Sequence, residues 1–386
     1  MLGSIFIGLS GMNSYSNALR QISNNITNMN STGFKSASLS FSDVIGSNPE
    51  SRQGDGLGVT LSAPRIDFTQ GELRQTDRDL DLAVDGAGFL VLLKDGEQVF
   101  TRTGSFELSE DGFVVLSGTT DRLCVVGADG VPEAVSINGA RTSPPQASTR
   151  VRFSDNLSST STSHTVPNLQ IYNSLGEADS WQATFERTIA SPAGEWTLRV
   201  VNSAGTEIGS ETVKFINGEI DPTTVSLSFA EAASGRSVTF DFSDGVTSFS
   251  SGSVSTLRAA ETDGRALGDL TGLRVNDAGE LEASYSNQQT NSLGAVAIAS
   301  FQNPQELEQR GAGLFSFEGG AGVQFLPSAH QSVGLVRSGR IEASNVELSG
   351  EFGDLILVQR GYQASSQVVS VSNDMIQQLF GIRGQG

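Results

Sequence analysis

Apolar side chains return every seven positions at both ends of this chain, and almost no charge accompanies them. Ile5, Met12, Leu19 and Ile26 form one series, and Tyr15, Ile22 and Met29 stand three positions further on, with only Gly8 breaking that second series. Such a repeat is the seam of a helix that packs along its length against another helix. At the other end Leu355, Tyr362, Val369 and Ile376 repeat every seven. Val358 and Leu379 fall on the partner positions, with Ser365 and Ser372 between them. Ser344-Asn345-Val346-Glu347 has the form of a capping box, and Arg383-Gly384 offers a cationic last turn and a Gly stop. The apolar residues of both runs are the expected subunit-packing residues.

The charge pattern says what those helices meet. Residues 1–34 carry one charged side chain, Arg20, and residues 361–380 carry one, Asp374. A helix of a lone globular domain shows Lys and Glu on its wet face; these show Ser, Asn, Gln and Gly, which suit close approach to other helices. Residues 1–35 contribute +2 and 341–386 contribute −3, so the middle holds −18 of the net −19. Such an acidic chain is a poor partner for nucleic acid, which requires clustered Lys and Arg. The uncharged stretch up to Leu19 is too interrupted by Gly, Ser and Asn for a membrane span. It lacks the basic start and cleavage site of a secretory signal, so export is expected to proceed without one.

The middle reads as β. Asp95-Gly96, Asp111-Gly112, Asp129-Gly130, Asn217-Gly218, Asp244-Gly245 and Asp263-Gly264 are each expected to supply the positive φ of a tight turn. Strand-like stretches lie at 89–93, 113–116, 196–201, 213–216 and 295–301. A Ser/Thr-rich segment at 142–163, containing Pro144 and Pro145, marks an exit from a first β unit, and a second Ser-rich segment at 248–255 precedes a return near Leu273. The expected fold is a mainly β middle of two β domains, one inserted in the other, with N- and C-terminal α-helices forming a coiled-coil-like terminal domain. Residues 1–70 and 343–386 would form the terminal helical domain with its linker. Residues 71–141 and 270–342 would form a discontinuous inner β domain, and 142–269 the inserted outer one.

No catalytic, cofactor or metal site is expected. His164 and His330 read as solvated loop residues without Cys or acidic neighbours at ligand spacing. Asp77, Asp79 and Asp81 mimic the start of a calcium loop, but Leu82 and Gly88 stand where such a loop needs Gly and Glu. Their alternation with Leu80, Leu82 and Val84 reads as the start of a half-exposed strand. The single cysteine, Cys124, reads as a small buried residue of a strand at 122–126 and excludes an internal disulfide. A nucleophile elbow, a P-loop and a dinucleotide fingerprint are all missing from the sequence.

Three stretches resemble the flagellar axial proteins, the family of rod and hook subunits. Ile22-Ser23-Asn24-Asn25-Ile26-Thr27-Asn28-Met29-Asn30-Ser31-Thr32-Gly33-Phe34-Lys35 is similar to the family's amino-terminal signature. Leu80-Asp81-Leu82-Ala83-Val84-Asp85-Gly86-Ala87-Gly88-Phe89 resembles the opening of its first β domain. Ala343-Ser344-Asn345-Val346-Glu347-Leu348-Ser349 through Gln359-Arg360-Gly361-Tyr362-Gln363-Ala364 resembles its carboxy-terminal helix motif. The room for an inserted domain, with Leu169-Gln170-Ile171-Tyr172-Asn173-Ser174-Leu175-Gly176 inside it and Tyr285-Ser286-Asn287-Gln288-Gln289-Thr290 after it, is similar to the hook branch and exceeds the distal rod branch. Gly350, Gly353 and Gly361 depart from the pattern, each weakening an isolated helix by roughly 1 kcal/mol relative to Ala.

The resemblance implies a structural, non-enzymatic subunit of an extracellular helical homopolymer, a tube that acts as a universal joint. Its partners would be copies of itself, the rod and hook–filament junction proteins, and a hook cap during assembly; neither nucleic acid nor a membrane span is implied. Because an isolated seam helix is marginal in water, both ends are expected to be largely disordered in the free monomer and to fold on polymerisation. A distal rod subunit is the nearest alternative, a secreted β protein such as an adhesin with coiled-coil ends the next, and an enzyme the most distant.

Overall fold

The computed structural model describes residues 2–45, 56–187, 194–231, 235–319 and 322–383. It is mainly β, with one long helix at each end: α1 (Leu2–Thr27) and α2 (Leu348–Arg383). The chain divides into two compact units, Met1–Asn138 with Leu273–Ala283 and Ser292–Gly386, and Gly139–Gly272 with Ser284–Asn291. The terminal helices fall within the first unit.

The first unit is built on a 12-stranded sheet in which Phe89–Lys94 lies between Glu97–Thr101 and Arg122–Val126. Lys94 and Glu97 pair across Asp95-Gly96, whose φ values of 50° and 91° are those of a type I′ turn. Phe89, Val91, Phe100, Cys124, Ala297 and Phe315 form the core, with the Phe89 ring edge-on to Phe301 and Phe315 at 5.5 and 5.8 Å. Burial pushes the Cys124 thiol up to about 12, which leaves it protonated and unreactive. The strand Asp81–Asp85 is not half-exposed: Asp81, Leu82, Ala83 and Val84 are all buried, so both of its faces are covered, and the sheet continues on both sides of it, to Thr103–Leu108 and to Leu335–Ser338. The expected strand at 295–301 is divided at Val296 into Thr290–Ala295 and Ala297–Phe301.

The second unit holds a five-stranded antiparallel sheet, Ser163–Tyr172 to Glu219–Ile220, and a four-stranded sheet in which Arg150–Ser154 runs parallel to Arg236–Asp241. Alternation points Trp181, Ala183 and Phe185 from the first sheet and Val151, Phe153, Val238 and Phe240 from the second into one core. His164 is no loop residue. It lies half-buried within Ser163–Tyr172, its Nε2 2.7 Å from the Leu257 carbonyl, because the strand begins one residue before it. Asn217-Gly218 is a second turn with positive φ at both positions, 53° and 87°. Asp263-Gly264 is not such a turn. Gly264 is required for space, since a β-carbon there would lie 1.9 Å from Ser148 Oγ.

A candidate assembly site at the roots of the terminal helices

Small residues set the contact between α1 and α2. A β-carbon on Gly8 would lie 2.6 Å from Val369 Cγ2, one on Gly11 2.7 Å from Ser365 Oγ, and one on Gly361 2.4 Å from the Tyr15 ring. Further along, Ala18 and Ile22 pack on Val358, and Asn25 Nδ2 donates to Glu351 Oε1 at 2.7 Å. The partners run in opposite directions, so the pair is antiparallel. On α1 the seam is therefore Gly8, Tyr15 and Ile22 with Gly11, Ala18 and Asn25, still two series of seven.

This revises the expected seam. Tyr15, Ile22, Val358 and Val369 sit in it. Gly8, taken from the sequence as a break, is a point of closest approach. Leu19 and Ile26, half-buried, pack against the Ala18–Ile22–Val358 cluster as expected, whereas Ile5 and Met12 are half-buried one position off the second series, which mostly small residues occupy because they let the backbones approach. Met29 lies in the turn after α1. On α2, Ser365 lines the contact, Ser372 is buried, Leu355 packs against the Ala18–Ile22–Val358 cluster, Ile376 is half-buried, and Tyr362 remains 40% exposed. The Leu379 side chain, Gly384 and the stop expected there lie outside the described residues. The capping box also does not form: Ser344 Oγ accepts from Val346 N, the Asn345 side chain is engaged elsewhere, and α2 begins at Leu348. The helix then runs unbroken through Gly350, Gly353 and Gly361.

Part of the uncharged face of α1 serves the chain itself. Ser14 Oγ donates to the Val59 carbonyl at 3.2 Å and Val59 N donates to Ser10 Oγ at 3.2 Å, where Gly58 admits the hydroxyl because it has no β-carbon. Large apolar side chains are left over. Phe6 is 69% exposed and Leu357 66%, and Leu9, Phe352, Ile356, Val368, Val371 and Met375 are exposed as well. Apolar side chains concentrated in this way on two sparsely charged helices mark an interaction surface.

The roots of the helices are polar and buried. The Lys35 ammonium, fully buried, lies 2.5 Å from Glu342 Oε1 and donates to the Thr69 carbonyl at 2.7 Å. Arg102 Nε donates to Glu342 Oε2 at 3.2 Å, and its other nitrogens reach the carbonyls of Gly86 and Gly88. Gly71 N donates to Glu342 Oε1 at 2.8 Å, and Gly33 N to the Glu342 carbonyl. Burial pushes both cations below their ordinary ranges, opposed by the Glu342 charge. Beside this triad Asn345 accepts from Ser36 N at 2.8 Å and donates to the Asp67 carbonyl at 2.8 Å, while Asn25 accepts from Ala37 N and donates to the Ala37 carbonyl. Lys35, Asn25 and Asn345 stood inside the quoted motifs without an assigned role. Arg102 and Glu342 carried no sequence signal, since their partners are remote in the chain.

Burial also raises the Glu351 carboxyl above its ordinary value of 4.5, Asn25 opposing and Asp354 adding to the rise. The folded pair thus binds this proton more tightly than the unfolded chain, and its stability is expected to fall as pH rises through the raised value. Melting the helix pair across the acid range checks this. Glu351→Gln should flatten the dependence, and an unchanged slope would refute the assignment.

Among the described residues no group of three or more His, Cys, Asp or Glu is placed to hold a metal ion. Nor is any described helix long and apolar enough to cross a membrane.

Residues 337–382, which include the start of α2 and its seam, match the family model described as the flagellar basal body rod FlgEFG protein C-terminal. The chain is 28% identical to the flagellar hook protein FlgE of Salmonella typhimurium, over 97% of this chain and 98% of that one. It is 24% identical to the flagellar hook protein FlgE of Treponema pallidum, over 99% and 100%. The crystal structure of the Helicobacter pylori flagellar hook protein FlgE2 matches 71% of this chain and all of that one with a TM-score of 0.50 and 12% identity, a likeness of fold.

Proposed function

We propose that this chain is the structural subunit of a bacterial flagellar hook, a curved helical tube that joins rod to filament and carries torque around a bend. One observation supports this reading most: a helix pair held by small residues whose large apolar side chains remain exposed, in a chain similar to hook proteins from end to end. On this reading the terminal helices line the tube, where copies cover Phe6, Leu357 and their neighbours. The contacts between copies are heterologous, since only head-to-tail surfaces extend into an open helix. The apolar residues of the expected seam that stay half-exposed, such as Ile5, Met12 and Ile376, belong to those contacts, and the helices complete their folding in the polymer.

Residues 1–70 and 343–386 would then act as the terminal coiled-coil-like domain, 71–141 with 270–342 as the inner β domain, and 142–269 as an inserted outer one. The acidic outer domain meets its neighbours through polar contacts that slide as the tube bends, because a large apolar interface would lock one curvature. The role is mechanical and extracellular, and calls for no catalysis. A distal rod subunit is disfavoured by the match to hook proteins along nearly the full length of both chains.

Electron microscopy of a null strain, with and without complementation, tests the proposal. Hookless basal bodies restored to hooks by this gene are expected; loss of the rods themselves would overturn it in favour of the rod. Complementation without residues 142–269 tests the outer domain, whose role fails if those hooks bend normally.

A further inference from the structure

The two helices turn stripes of opposite charge outward. On α1 the exposed Phe6, Leu9, Asn13 and Arg20 fall within about 60° of one another at about 100° per residue. That stripe lies opposite the seam of Gly8, Tyr15 and Ile22. Arg20 is the single charged residue of α1, and among the described residues its guanidinium reaches only Asn17 of the same helix.

α2 carries a second stripe beside its seam. Leu357, Val368, Val371 and Met375 are exposed and again fall within about 60° of one another. Asp354, also exposed, stands one turn before Leu357 on the side of the root. There a cavity of about 440 Å³ is lined by Ala18, Phe41, Leu357 and Val358 and by the carboxylates of Glu351 and Asp354. Burial, Asn25 and Asp354 act on the Glu351 carboxyl, and no cation is among them. An apolar wall beside two carboxylates suits the long stem and planar charged head of an arginine.

The stripes match in spacing as well as in sign. Arg20 stands 14 positions from Phe6, and Asp354 stands 14 from Val368. That is about 21 Å along either helix, with the charge at the root in both. In an open helical assembly every copy points the same way along the axis. The α1 of one copy therefore meets the α2 of the next antiparallel and with the roots level, which sets Arg20 opposite Asp354 and Phe6 opposite Val368.

We propose that neighbouring copies join in this register: the outward stripe of α1 lies on the α2 stripe of the next copy, Arg20 entering the cavity beside Glu351 and Asp354 while Phe6 covers Val368. The contact rests on the hook reading and names the join within it. Each copy offers a cation on one face and an acidic cavity on another, so the join is heterologous. Burying Arg20 under a neighbour without a counter-charge would be strongly unfavourable, and the cavity supplies one.

Complementation of the null strain with charge-exchanged chains tests the register. Arg20→Asp and Asp354→Arg should each lower the number of hooks per cell by about tenfold or more, since each sets like charges together. Both changes in one chain should return it to within about twofold of the unaltered number. Arg360→Asp combined with Asp354→Arg should restore nothing, because Arg360 stands on α2 itself. An ordinary number of hooks in either single variant would overturn the proposal. So would a double exchange no better than the single ones, or restoration through Arg360. Failure of the unaltered chain to build hooks would instead overturn the hook reading, and this contact with it.

Discussion

Replacing Gly361 by Leu is expected to open the α1–α2 seam, although it exchanges a poor helix former for a strong one. Propensity alone would favour the change by about 1 kcal/mol. The β-carbon, however, would lie 2.4 Å from a Tyr15 ring that is backed by Phe41 at 5.1 Å. Forcing atoms into such a contact costs typically 1–3 kcal/mol, and the three further carbons of Leu have no space on that side. The net sign is therefore unfavourable. Gly353 supplies the control, because nothing lies within 4 Å of a β-carbon there. Gly353→Leu should raise helix content in the same measurement by circular dichroism, whereas Gly361→Leu should lower it and impair polymerisation. Equal effects at the two positions would show that the seam is not the determinant.

Glu342→Ala is expected to destabilise the first unit by about 3–5 kcal/mol, the usual range when one partner of a buried ion pair is removed. It strands two cations whose side chains are no more than 1% exposed and leaves Gly71 N without its acceptor. Glu282 is the contrast. Its partner Arg274, 3.0 Å away, is 56% exposed, so Glu282→Ala should cost no more than about 1 kcal/mol. Urea unfolding of both variants checks the difference, and similar midpoints would refute the role given to the triad.

Periodicity carried the helices well because it is a local property. Four heptads of apolar residues with almost no charge leave few alternatives to a helix that packs along its length, and α1 spans Leu2–Thr27, nearly the whole of that repeat. The β middle was legible for a similar reason. Asp95-Gly96 and Asn217-Gly218 dictate turns wherever they stand between alternating strands. The strand at 81–85 was harder to judge, since alternating Asp and Leu reads as one covered face and one wet one, whereas both faces are buried.

Choosing the seam was beyond local reasoning. Neighbouring positions on a helix differ by about 100°, and α1 bears apolar side chains on more than one face because several faces have partners to meet. Size then pointed to Met12, Leu19 and Ile26, of which Leu19 and Ile26 do pack on the cluster, whereas close approach put Gly11, Ala18 and Asn25 at its centre. The capping box failed for a related reason: residues 344–346 lie outside the helix, where Asn345 bridges Ser36 and Asp67, and α2 starts only at Leu348. The amino-acid sequence by itself determined two sparsely charged terminal helices and an acidic β middle, since both follow from the order of neighbouring residues. Only the tertiary structure decided that Gly8 and Gly361 are contacts and that Lys35 meets Glu342. Those two charges lie 307 positions apart, and burying them together is worthwhile only where the fold has already excluded water.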